Sequence, residues 1–444
     1  MESKKMENSP SSRVSWSSHF GFLMAAVGSA VGLGNLWRFP FIAANGGGGA
    51  FLILYMILAG TVGLTLVLLE MSLGAKMHLN PVGAMRKINP RFGFIGSIGV
   101  IAVTIIFGFY SVVGGWIIHY FVFFTTHSLN QNFEQHFSSF IQNPYIPLCY
   151  TALFIAASTL IVSKGIAKGI ERYSKIMMPA LFVLLLALVV RSLFLPRAFE
   201  GLQFFLYPDI SKITPQTFLT ALGQVFFSLS VGMGIFITYG SYMSGKQNVL
   251  KSSCAVVGLD LLVSLCAGLM IFPAVFAFNV PLNSGPTLLF ITLPKIFASI
   301  PFGNVIALLF FMLLILAALT SSISMIEVAV TYVNDMYPVS RKKAVIWYGL
   351  LCFVWSIPMS FSFGVWENVT VFGKTLFDAA DYLASNIMLP LGGVLMSLSV
   401  GWGYGMKNLD IVENAVGNCF FDVMIKYVAP ILVFFVLLNA TGLI

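Results

Sequence analysis

Long apolar runs recur along the whole chain and constrain its fold more than any other feature. They have about the 20 residues that a helix needs to cross ~30 Å of hydrocarbon. Because lipid offers the backbone no hydrogen-bond partners, such runs have to be helices; they lack the alternating pattern of barrel strands. Only 9% of the 444 residues are charged, against about a quarter in soluble domains. The sequence therefore predicts an all-α membrane protein surrounded by a lipid bilayer.

Eleven membrane spans are predicted, preceded by a polar tail at 1–15. The tail lacks the basic start, apolar core and small-residue cleavage site of a secretory signal, so no processing is expected. A proline-broken stretch at 279–301 is interpreted as an outer loop with short helices, either a lid or a plain connector. The predicted spans are 17–45, 50–75, 95–127, 146–163, 170–195, 215–243, 250–278, 302–335, 343–363, 375–403 and 424–442.

The distribution of basic residues sets the predicted orientation. With a cytoplasmic N-terminus, 18 of the 24 lysines and arginines fall on the cytoplasmic side, among them Arg341, Lys342 and Lys343. This asymmetry follows the positive-inside rule and places the C-terminus outside. It also accounts for the net charge of +8 without a nucleic-acid partner. We expect a multi-pass protein of the cell inner membrane.

The sequence offers no pattern of metal ligands or catalytic groups. The five cysteines and five histidines are scattered along the chain and show no ligand or disulfide spacing. Cysteines inside apolar runs are interpreted as small buried hydrophobes. No nucleophile–base pair or phosphate-binding loop is recognisable in the sequence, so the chain is not expected to be an enzyme.

Two spans carry several glycines near the middle of the membrane. The first contains GSAVGLGNLWRFP at 28–40 and the second FFSLSVGMG at 226–234. A helix that breaks there frees backbone N–H and C=O groups, which lipid tolerates only where they line a cavity or bind something. The N-termini of half-helices suit a carboxylate, and freed carbonyls suit Na⁺. The alternative is that these glycines only let helices pack closely.

The two glycine-rich segments lie about 200 residues apart, each in the first span of a five-span set. That arrangement is typical of inverted-repeat transporters, whose binding site lies at the midplane between the repeats. We predict a first repeat at 16–195, a second at 215–403 and one extra helix at 424–444. The first and sixth spans are expected to be unwound at the midplane.

Polar residues inside the spans are costly and indicate function. The run Thr320-Ser321-Ser322 offers hydroxyl oxygens, which are hard ligands for a small cation. The alternative is that these hydroxyls bond back to their own helix. The other intramembrane candidates are Glu70, Asp260, Ser324, Glu327 and Asp381.

Five motifs together resemble the neurotransmitter:sodium symporter family, in particular its bacterial amino-acid branch. Besides residues 28–40 they are GGGGAF at 46–51, KGIER at 168–172, GQVFFSLS at 223–230 and LTSS at 319–322. The resemblance runs from Arg13 to about residue 440. It implies the LeuT fold, a 5+5 inverted repeat plus one extra helix, and Na⁺-coupled symport by alternating access.

The resemblance also implies two sodium sites with all-oxygen ligands. The first would use Ala30, Asn35, Ser228 and Asp260, together with the substrate carboxylate. The second would use Gly28, Val31, Ala317, Thr320 and Ser321. Many relatives have asparagine at position 260, and some require chloride nearby. We therefore expect Asp260 to supply the fixed negative charge and to make chloride unnecessary. The chloride-site remnants would be Tyr55, Gln224, Ser228 and Ser264.

The implied substrate is a neutral amino acid. The amine carriers of the family have an aspartate where this chain has Gly32, so the substrate should bring its own carboxylate. Two methionines make the expected pocket adaptable and favour a hydrophobic or aromatic side chain. The substrate site would comprise Ala30, Leu33, Gly34, Ile106, Tyr110, Phe227, Ser228, Ser230, Met233, Ser321 and Met325.

Two gates are implied as well. The outer gate would pair Arg38 with Asp381, and the inner gate would pair Arg13 with Asp335, with Trp16 and Tyr242 nearby. For each pair the alternative is a solvated surface charge. Glu327 stands where relatives often carry glutamine, and the sequence leaves it open as a proton site or a structural acid.

Two other functions remain open. One is a sodium-coupled carrier of a biogenic amine, which Gly32 disfavours. The other is a sensor or channel on the same scaffold, which intact ligands at both cation sites disfavour. Neither the spans nor the motifs determine the oligomeric state.

Overall fold

The computed structural model describes residues 14–127, 129, 132–244, 247–279, 287–409 and 415–443. The chain is helical almost throughout these residues, and one short β-hairpin of Thr370–Val371 (β1) and Lys374–Thr375 (β2) interrupts it. The helices are α1 His19–Ala30, α2 Phe39–Asn45, α3 Gly49–Leu58, α4 Leu64–Met77, α5 Pro81–Ile88, α6 Gly93–Thr126, α7 Phe133–Gln142, α8 Ile146–Ser163, α9 Arg172–Leu193, α10 Ala198–Leu206, α11 Pro215–Ser228, α12 Ile235–Gly240, α13 Val249–Phe278, α14 Leu293–Ala298, α15 Gly303–Met336, α16 Arg341–Phe361, α17 Leu376–Asp381, α18 Leu389–Leu398, α19 Ala415–Val423 and α20 Ala429–Ala440.

Several spans are continuous helices that change locally to the wider π-helical turn. Short π-helical stretches join α3 to α4, α17 to α18 and α19 to α20, so each pair forms one span. A π-helical turn inserts an extra residue and is frequent near functional sites. The stretches are Gly34–Arg38, Ala59–Gly63, Ile166–Glu171, Leu288–Thr292, Tyr382–Met388, Ser399–Tyr404 and Met424–Val428.

The described residues contain the predicted membrane spans. Nine helical segments are long and apolar enough to cross a bilayer, and His19–Ala30 with Gly34–Asn45 makes a tenth that bends by 48° at its break. The remaining predicted span, 215–243, is divided into α11 and α12 by residues 229–234. The predicted all-α membrane fold is therefore confirmed, with both interruptions where the glycines predicted them.

Backbone geometry explains why the second break falls where it does. Ser230, Gly232 and Gly234 all have positive φ angles, of 52°, 85° and 71°. Left-handed residues cannot continue a right-handed helix, and glycine accepts them without steric cost. At the first break Val31 is extended, with a ψ of 111°, which stops α1 before Gly32.

The two breaks lie side by side in the middle of the helix bundle. The long helices α6 and α15 pack against each other, and α15 also contacts α1 and α12. The stretch Gly34–Arg38 contacts α11 and α13. Residues around both breaks, such as Ala30, Leu36 and Val231, are at most 4% exposed. The fold thus buries two interrupted backbones against each other.

Short elements cover the end of the molecule that is predicted to face outward. Helix α7 lies against the segment Leu288–Thr292, with Phe137 stacked on Phe290 at 5.2 Å between ring centres. Lys295 of α14 forms an ion pair with Glu134 of α7 at 2.6 Å. The outer loop 279–301 therefore contains short helices, as predicted, although 280–286 lie outside the described residues.

Candidate binding site at the two helix breaks

One cavity of about 40 Å³ lies between the two helix breaks. All eleven predicted substrate residues line it, and Ser29, Gly32 and Ile235 line it in addition. The eleven are Ala30, Leu33, Gly34, Ile106, Tyr110, Phe227, Ser228, Ser230, Met233, Ser321 and Met325. A water molecule takes roughly 10–15 Å³ of such a volume, so the cavity is narrow. No lysine, arginine, aspartate or glutamate is among the described residues that line it.

One wall of the cavity presents a hydroxyl group without a partner. The Tyr110 hydroxyl is buried and has no partner with good hydrogen-bond geometry in the described part of the chain, although the Ser321 hydroxyl and the Leu33 backbone lie close to it. A buried polar group without a partner is costly unless something binds it. The helix restarts at Leu33 and Gly34, both of which line the same cavity, and such a helix end attracts negative charge. Together they form a candidate carboxylate site.

The second break supplies hydrogen-bond acceptors. Ser230 is held in its left-handed conformation while its hydroxyl donates to the Ser29 carbonyl at 3.1 Å. This bond ties the two breaks together across the cavity. Backbone carbonyls beside the breaks are acceptors of the kind that binds an ammonium.

The predicted first cation site forms one hydrogen-bonded cluster. The Asn35 amide nitrogen donates to Ser228 at 2.9 Å and to an Asp260 carboxylate oxygen at 2.7 Å. The Ser228 hydroxyl donates to the same oxygen at 2.8 Å. All three side chains are at most 2% exposed. Their oxygens are hard ligands that fit Na⁺. Ala30, the remaining predicted protein ligand, lines the neighbouring cavity together with Ser228.

Asp260 also faces the residues predicted as chloride-site remnants. Its second carboxylate oxygen accepts from the Tyr55 hydroxyl at 3.1 Å, and Tyr55 lies 3.4 Å from the Ser264 hydroxyl. The Gln224 amide donates to the Gly34 carbonyl at 3.1 Å. One carboxylate thus joins the predicted cation cluster to Tyr55 of the predicted chloride-site remnants.

The predicted second cation site also assembles. The Ser321 hydroxyl lies 3.4 Å from the Gly28 carbonyl oxygen and 3.2 Å from that of Val31. The Thr320 hydroxyl lies 3.0 Å from the Ala317 carbonyl oxygen. The end of α1 and the middle of α15 therefore bring the Ser321 hydroxyl and the Gly28 and Val31 carbonyl oxygens together, and this all-oxygen group fits Na⁺. The Thr320 hydroxyl donates back to the Leu316 and Ala317 carbonyls of its own helix, so its part in this site stays a prediction.

The predicted outer-gate residues lie above the cavity without a direct ion pair. The guanidinium carbon of Arg38 is 4.3 Å from the centre of the Phe227 ring, a cation–π distance. The Asp381 carboxylate accepts from Ser385 at 2.7 Å. The ion pairs of the described residues do not include one between Arg38 and Asp381. Their predicted pairing stays a prediction.

At the other end of the molecule the N-terminal segment is held closed. The Trp16 indole donates to the Tyr239 carbonyl at 3.0 Å, and its backbone N–H donates to the Tyr242 carbonyl at 3.2 Å. Asp335 accepts from the backbone and side chain of Asn80 at 3.1 and 2.9 Å. Arg13 lies outside the described residues, and the predicted Arg13–Asp335 pair lies outside them with it.

Arg341 makes a further contact that holds this end of the molecule closed. Its guanidinium forms a bidentate ion pair with the fully buried Glu327. Glu327 also accepts from the Tyr242 hydroxyl at 2.8 Å. These contacts are those expected of a structural acid, and the role of Glu327 stays a prediction. The sequence left the role of Glu327 open, and the only signal for its partner was the basic cluster at 341–343.

Glu70 supports the second break. This fully buried carboxylate accepts from the Gly232 backbone N–H at 2.7 Å. The bond satisfies one of the groups that the interruption of the helix releases. The sequence marked Glu70 as an intramembrane acid but gave no partner for it.

Two broken helices that present oxygen ligands beside an uncharged cavity define a secondary transporter that couples its substrate to small cations. The chain belongs to the sodium:neurotransmitter symporter family, whose model matches residues 13–146 and 135–442. Its fold is the LeuT fold, and the protein is a sodium-coupled membrane transporter, not an enzyme. The predicted family and fold are thereby confirmed.

The chain is similar over almost its full length to known transporters. It is 40% identical to the sodium-dependent transporter YhdH of Bacillus subtilis, over 97% of this chain and 98% of the relative. It is 30% identical to the human sodium- and chloride-dependent GABA transporter 2, over 93% of this chain and 77% of the relative. The crystal structure of MhsT in complex with L-phenylalanine matches with a TM-score of 0.89 and 41% identity, and covers 97% of this chain and 100% of MhsT.

Proposed function

We propose that this transporter carries a neutral amino acid with a hydrophobic or aromatic side chain into the cell together with Na⁺. The observation that carries the proposal is the character of the cavity between the helix breaks. It combines a free Tyr110 hydroxyl with a helix N-terminus, and its described lining contains no charged side chain. Such a site suits a carboxylate and disfavours a charged substrate side chain.

Gly32 disfavours a biogenic amine. A β-carbon added there would lie 2.6 Å from the Ser321 hydroxyl oxygen and 3.5 Å from that of Tyr110. An acidic side chain at this position would occupy space in the cavity that the substrate needs. The substrate carboxylate therefore has to supply the negative charge. The similar protein MhsT, solved with L-phenylalanine, supports an amino acid.

The largest substrate that the cavity can hold depends on how far its flexible side chains move. The cavity of about 40 Å³ is small for an aromatic group. Met233 and Met325 line it, and methionine re-packs more readily than branched side chains. We infer that these two residues and Phe227 shift when a large side chain enters.

The coupling mechanism follows from a shared set of ligands. The substrate carboxylate would complete the first cation site at Ala30, Asn35, Ser228 and Asp260. By linkage, Na⁺ and substrate then raise the affinity for each other by the same factor. The membrane potential adds about 2.3 kcal/mol per charge for every 100 mV. Alternating access, with one bundle rocking against the other, would release both on the cytoplasmic side.

Two sodium sites and chloride independence are part of the proposal. Asp260 supplies a fixed negative charge within hydrogen-bond distance of Tyr55 and Ser228, where a chloride ion would otherwise balance the cation. Uptake should therefore be unchanged when gluconate replaces chloride. A large loss of uptake in gluconate would contradict this part of the proposal.

The proposed setting is the cell inner membrane with a cytoplasmic N-terminus and an outer C-terminus. The excess of basic residues on one side supports this orientation. The proposed repeats, 16–195 and 215–403, each begin with a span that is broken, and the helix at 424–444 stands outside them. Labelling of single introduced cysteines from either side of intact cells would test the orientation.

The decisive experiment is uptake into proteoliposomes. Labelled tryptophan, tyrosine, phenylalanine and leucine are offered with an inward Na⁺ gradient, and with K⁺ in its place. Sodium-dependent accumulation of any of them is expected. Sodium-dependent binding without accumulation would instead favour a sensor. Accumulation of an amine but of none of the amino acids would overturn the proposed substrate class.

A further inference from the structure

A second and much larger cavity, of about 670 Å³, opens on the side of the helix bundle. It lies between α6, the outer end of α16, the hairpin β1–β2 and the start of the span that begins with α17. Its volume is within the range of roughly 300–1,000 Å³ that small-molecule sites occupy. The lining residues are Ile105, Trp355, Pro358, Met359, Val371, Phe372, Lys374, Leu376, Ala379, Ala380, Tyr382, Leu383 and Ile387.

The walls of this cavity are apolar, and its polar groups are grouped at one place. Lys374 and Tyr382 are the only lining residues, all of them described, that carry a charge or a hydroxyl. The Lys374 ammonium lies 5.0 Å from the centre of the Tyr382 ring, and the Tyr382 hydroxyl donates to the Ala440 carbonyl at 2.7 Å. A positive charge therefore stands beside an apolar chamber.

The surroundings place this chamber at the outer boundary of the membrane. On α16, Leu350, Leu351 and Val354 are each more than half exposed, as expected where a helix faces lipid. Phe372 at the tip of the hairpin is fully exposed, two residues before Lys374. Aromatic and basic residues side by side are typical of the interface between hydrocarbon and head groups.

We propose that this cavity binds an acyl chain of an anionic membrane phospholipid, whose head group pairs with Lys374. Apolar walls of this extent would leave water without partners, whereas a hydrocarbon chain gains free energy for every methylene that it buries. The single cation at the mouth favours an anionic head group over a zwitterionic one. The chamber would not hold a hydrophobic amino acid, because its lining has no carboxylate to pair with the ammonium group of the amino acid.

The chamber shares its walls with elements that carry the substrate site. Ile105 precedes Ile106 of the substrate cavity on α6. Trp355 packs so closely on Gly108 of α6 that a β-carbon there would meet the indole ring. Ala380 and Tyr382 flank Asp381 in the chain. A bound acyl chain should therefore hold the outer end of α16 and the start of α17 in place and influence outer closure. The influence on outer closure rests on the proposed function, whereas the proposed lipid binding does not.

Lipid retention tests the binding directly. The purified protein is mixed with equal amounts of phosphatidylglycerol and phosphatidylcholine, and retained lipid is measured by native mass spectrometry. Phosphatidylglycerol should be retained preferentially. Lys374→Ala should weaken its retention about fivefold, and Ala379→Trp should weaken it by placing an indole ring in the path of the acyl chain. The matched controls are Lys295→Ala, another outer lysine, and Ala156→Trp, at an exposed alanine of α8; both should retain lipid like the unchanged protein.

Fluorescence locates the bound chain. Phosphatidylglycerol with brominated acyl chains should quench a component of the tryptophan emission that is lost in Trp355→Phe and in Ala379→Trp. Equal lipid retention by the four variants of the retention experiment and the unchanged protein would overturn the proposal. So would a smaller oligomeric state for Ala379→Trp than for the unchanged protein, without loss of lipid, because the chamber would then hold a second copy of the chain. Failure of amino-acid uptake with normal retention would reject the proposed function and leave the lipid site standing.

Discussion

At the scale of single residues, Asp260 links the predicted first cation cluster to Tyr55, one of the predicted chloride-site remnants. It is fully buried and accepts hydrogen bonds from Asn35, Tyr55 and Ser228. A buried carboxylate needs such partners, and it gains further from a cation. Its charge is therefore expected to contribute to Na⁺ affinity as well as to replace chloride.

Asp260→Asn should raise the Na⁺ concentration for half-maximal uptake by about tenfold or more, because a charged partner is replaced by a neutral one. The variant should also take up less substrate in gluconate than in chloride. Both quantities are measured by uptake into proteoliposomes. Asp209→Asn, at an exposed aspartate of an outer loop, is the control. An unchanged Na⁺ dependence would reject the role of Asp260.

Tyr110→Phe tests the carboxylate site. Loss of the hydroxyl should weaken amino-acid binding about tenfold, as expected for a hydrogen bond to a charged group, and should affect Na⁺ binding without substrate much less. Equilibrium binding of labelled amino acid and of labelled Na⁺ measures the two effects. Tyr120→Phe is a close control, because Tyr120 lies on the same helix and its hydroxyl is likewise buried without a partner in the described chain. Equal effects of the two substitutions would contradict a specific role for Tyr110.

The residues of the site were predictable where a motif or an intramembrane polar group marked them. All eleven substrate residues could be named because the family resemblance implies them: ten occur in or between the motifs, and Met325 follows the last motif by three residues. Ser29 and Ile235 could not be named, since each lies beside a break and enters the cavity only through the folded geometry. The pairing of Glu327 with Arg341 escaped prediction because it joins two helices across a connection, and sequence spacing says nothing about such contacts.

At the scale of elements, the break between α11 and α12 depends on glycine at one position in particular. Gly232 has a φ of 85°, and a β-carbon there would lie 2.6 Å from the Leu389 carbonyl oxygen. Its N–H is also bonded to Glu70. The backbone at this point therefore has neither the conformational freedom nor the space for a side chain.

Gly232→Ala should lower the melting temperature and abolish most uptake. A left-handed alanine costs about 1–2 kcal/mol before any contact with Leu389 is counted. Thermal unfolding in detergent with and without Na⁺ measures the effect. Gly258→Ala on α13 is the control, because a β-carbon there would meet nothing within 4 Å, and alanine should stabilise that helix slightly. A Gly232→Ala protein that unfolds no earlier than Gly258→Ala would show that the break tolerates a side chain.

The spans themselves were predictable from hydropathy, but their internal geometry was not. The prediction 250–278 agrees with α13, which begins at Val249 and ends at Phe278. The π-helical stretch Tyr382–Met388 inside the tenth span left no trace in the sequence, because every residue type in it also fits an ordinary helix. The glycine pattern indicated both breaks without giving the residues at which each half-helix ends.

At the scale of the whole molecule, the structure is closed at the end that is predicted to face the cytoplasm. Trp16 is 5% exposed, and Ser17 and Ser18 donate to Glu171 at 2.6 and 2.8 Å. These bonds tie the start of α1 to the beginning of α9. Release of substrate to this side therefore requires several hydrogen bonds and one buried ion pair to break together.

The orientation in the membrane and the limits of the two repeats stay predictions. The positive-inside asymmetry is a property of the sequence, and the packing of the helices is the same in either orientation. Each predicted repeat begins with a span that is broken in the structure. Hydropathy and the spacing of the broken spans were enough to make both predictions, because these patterns depend on the order of the helices and not on side-chain contacts.

Arg341→Ala should open the cytoplasmic end. It removes the partner of the fully buried Glu327 and two bonds to the Val162 carbonyl. Breaking a buried pair costs about 3 kcal/mol or more, reduced here because the Arg341 side chain is 23% exposed. If that energy holds the closed state, its loss shifts the population toward the state open to the cytoplasm. Sodium-driven accumulation should then fall.

The shift can be measured by labelling a cysteine introduced at Ser324, which is fully buried on α15 about one turn from Glu327. In a background without the five native cysteines, the labelling rate should rise at least about tenfold in Arg341→Ala, as expected for a loss of ~1.4 kcal/mol or more. Arg197→Ala breaks an exposed pair with Glu200 at the other end and should leave the rate unchanged. An unchanged rate in Arg341→Ala would mean that the contacts of Trp16, Ser17 and Ser18 hold this end closed without the ion pair, which would then serve only the stability of the fold.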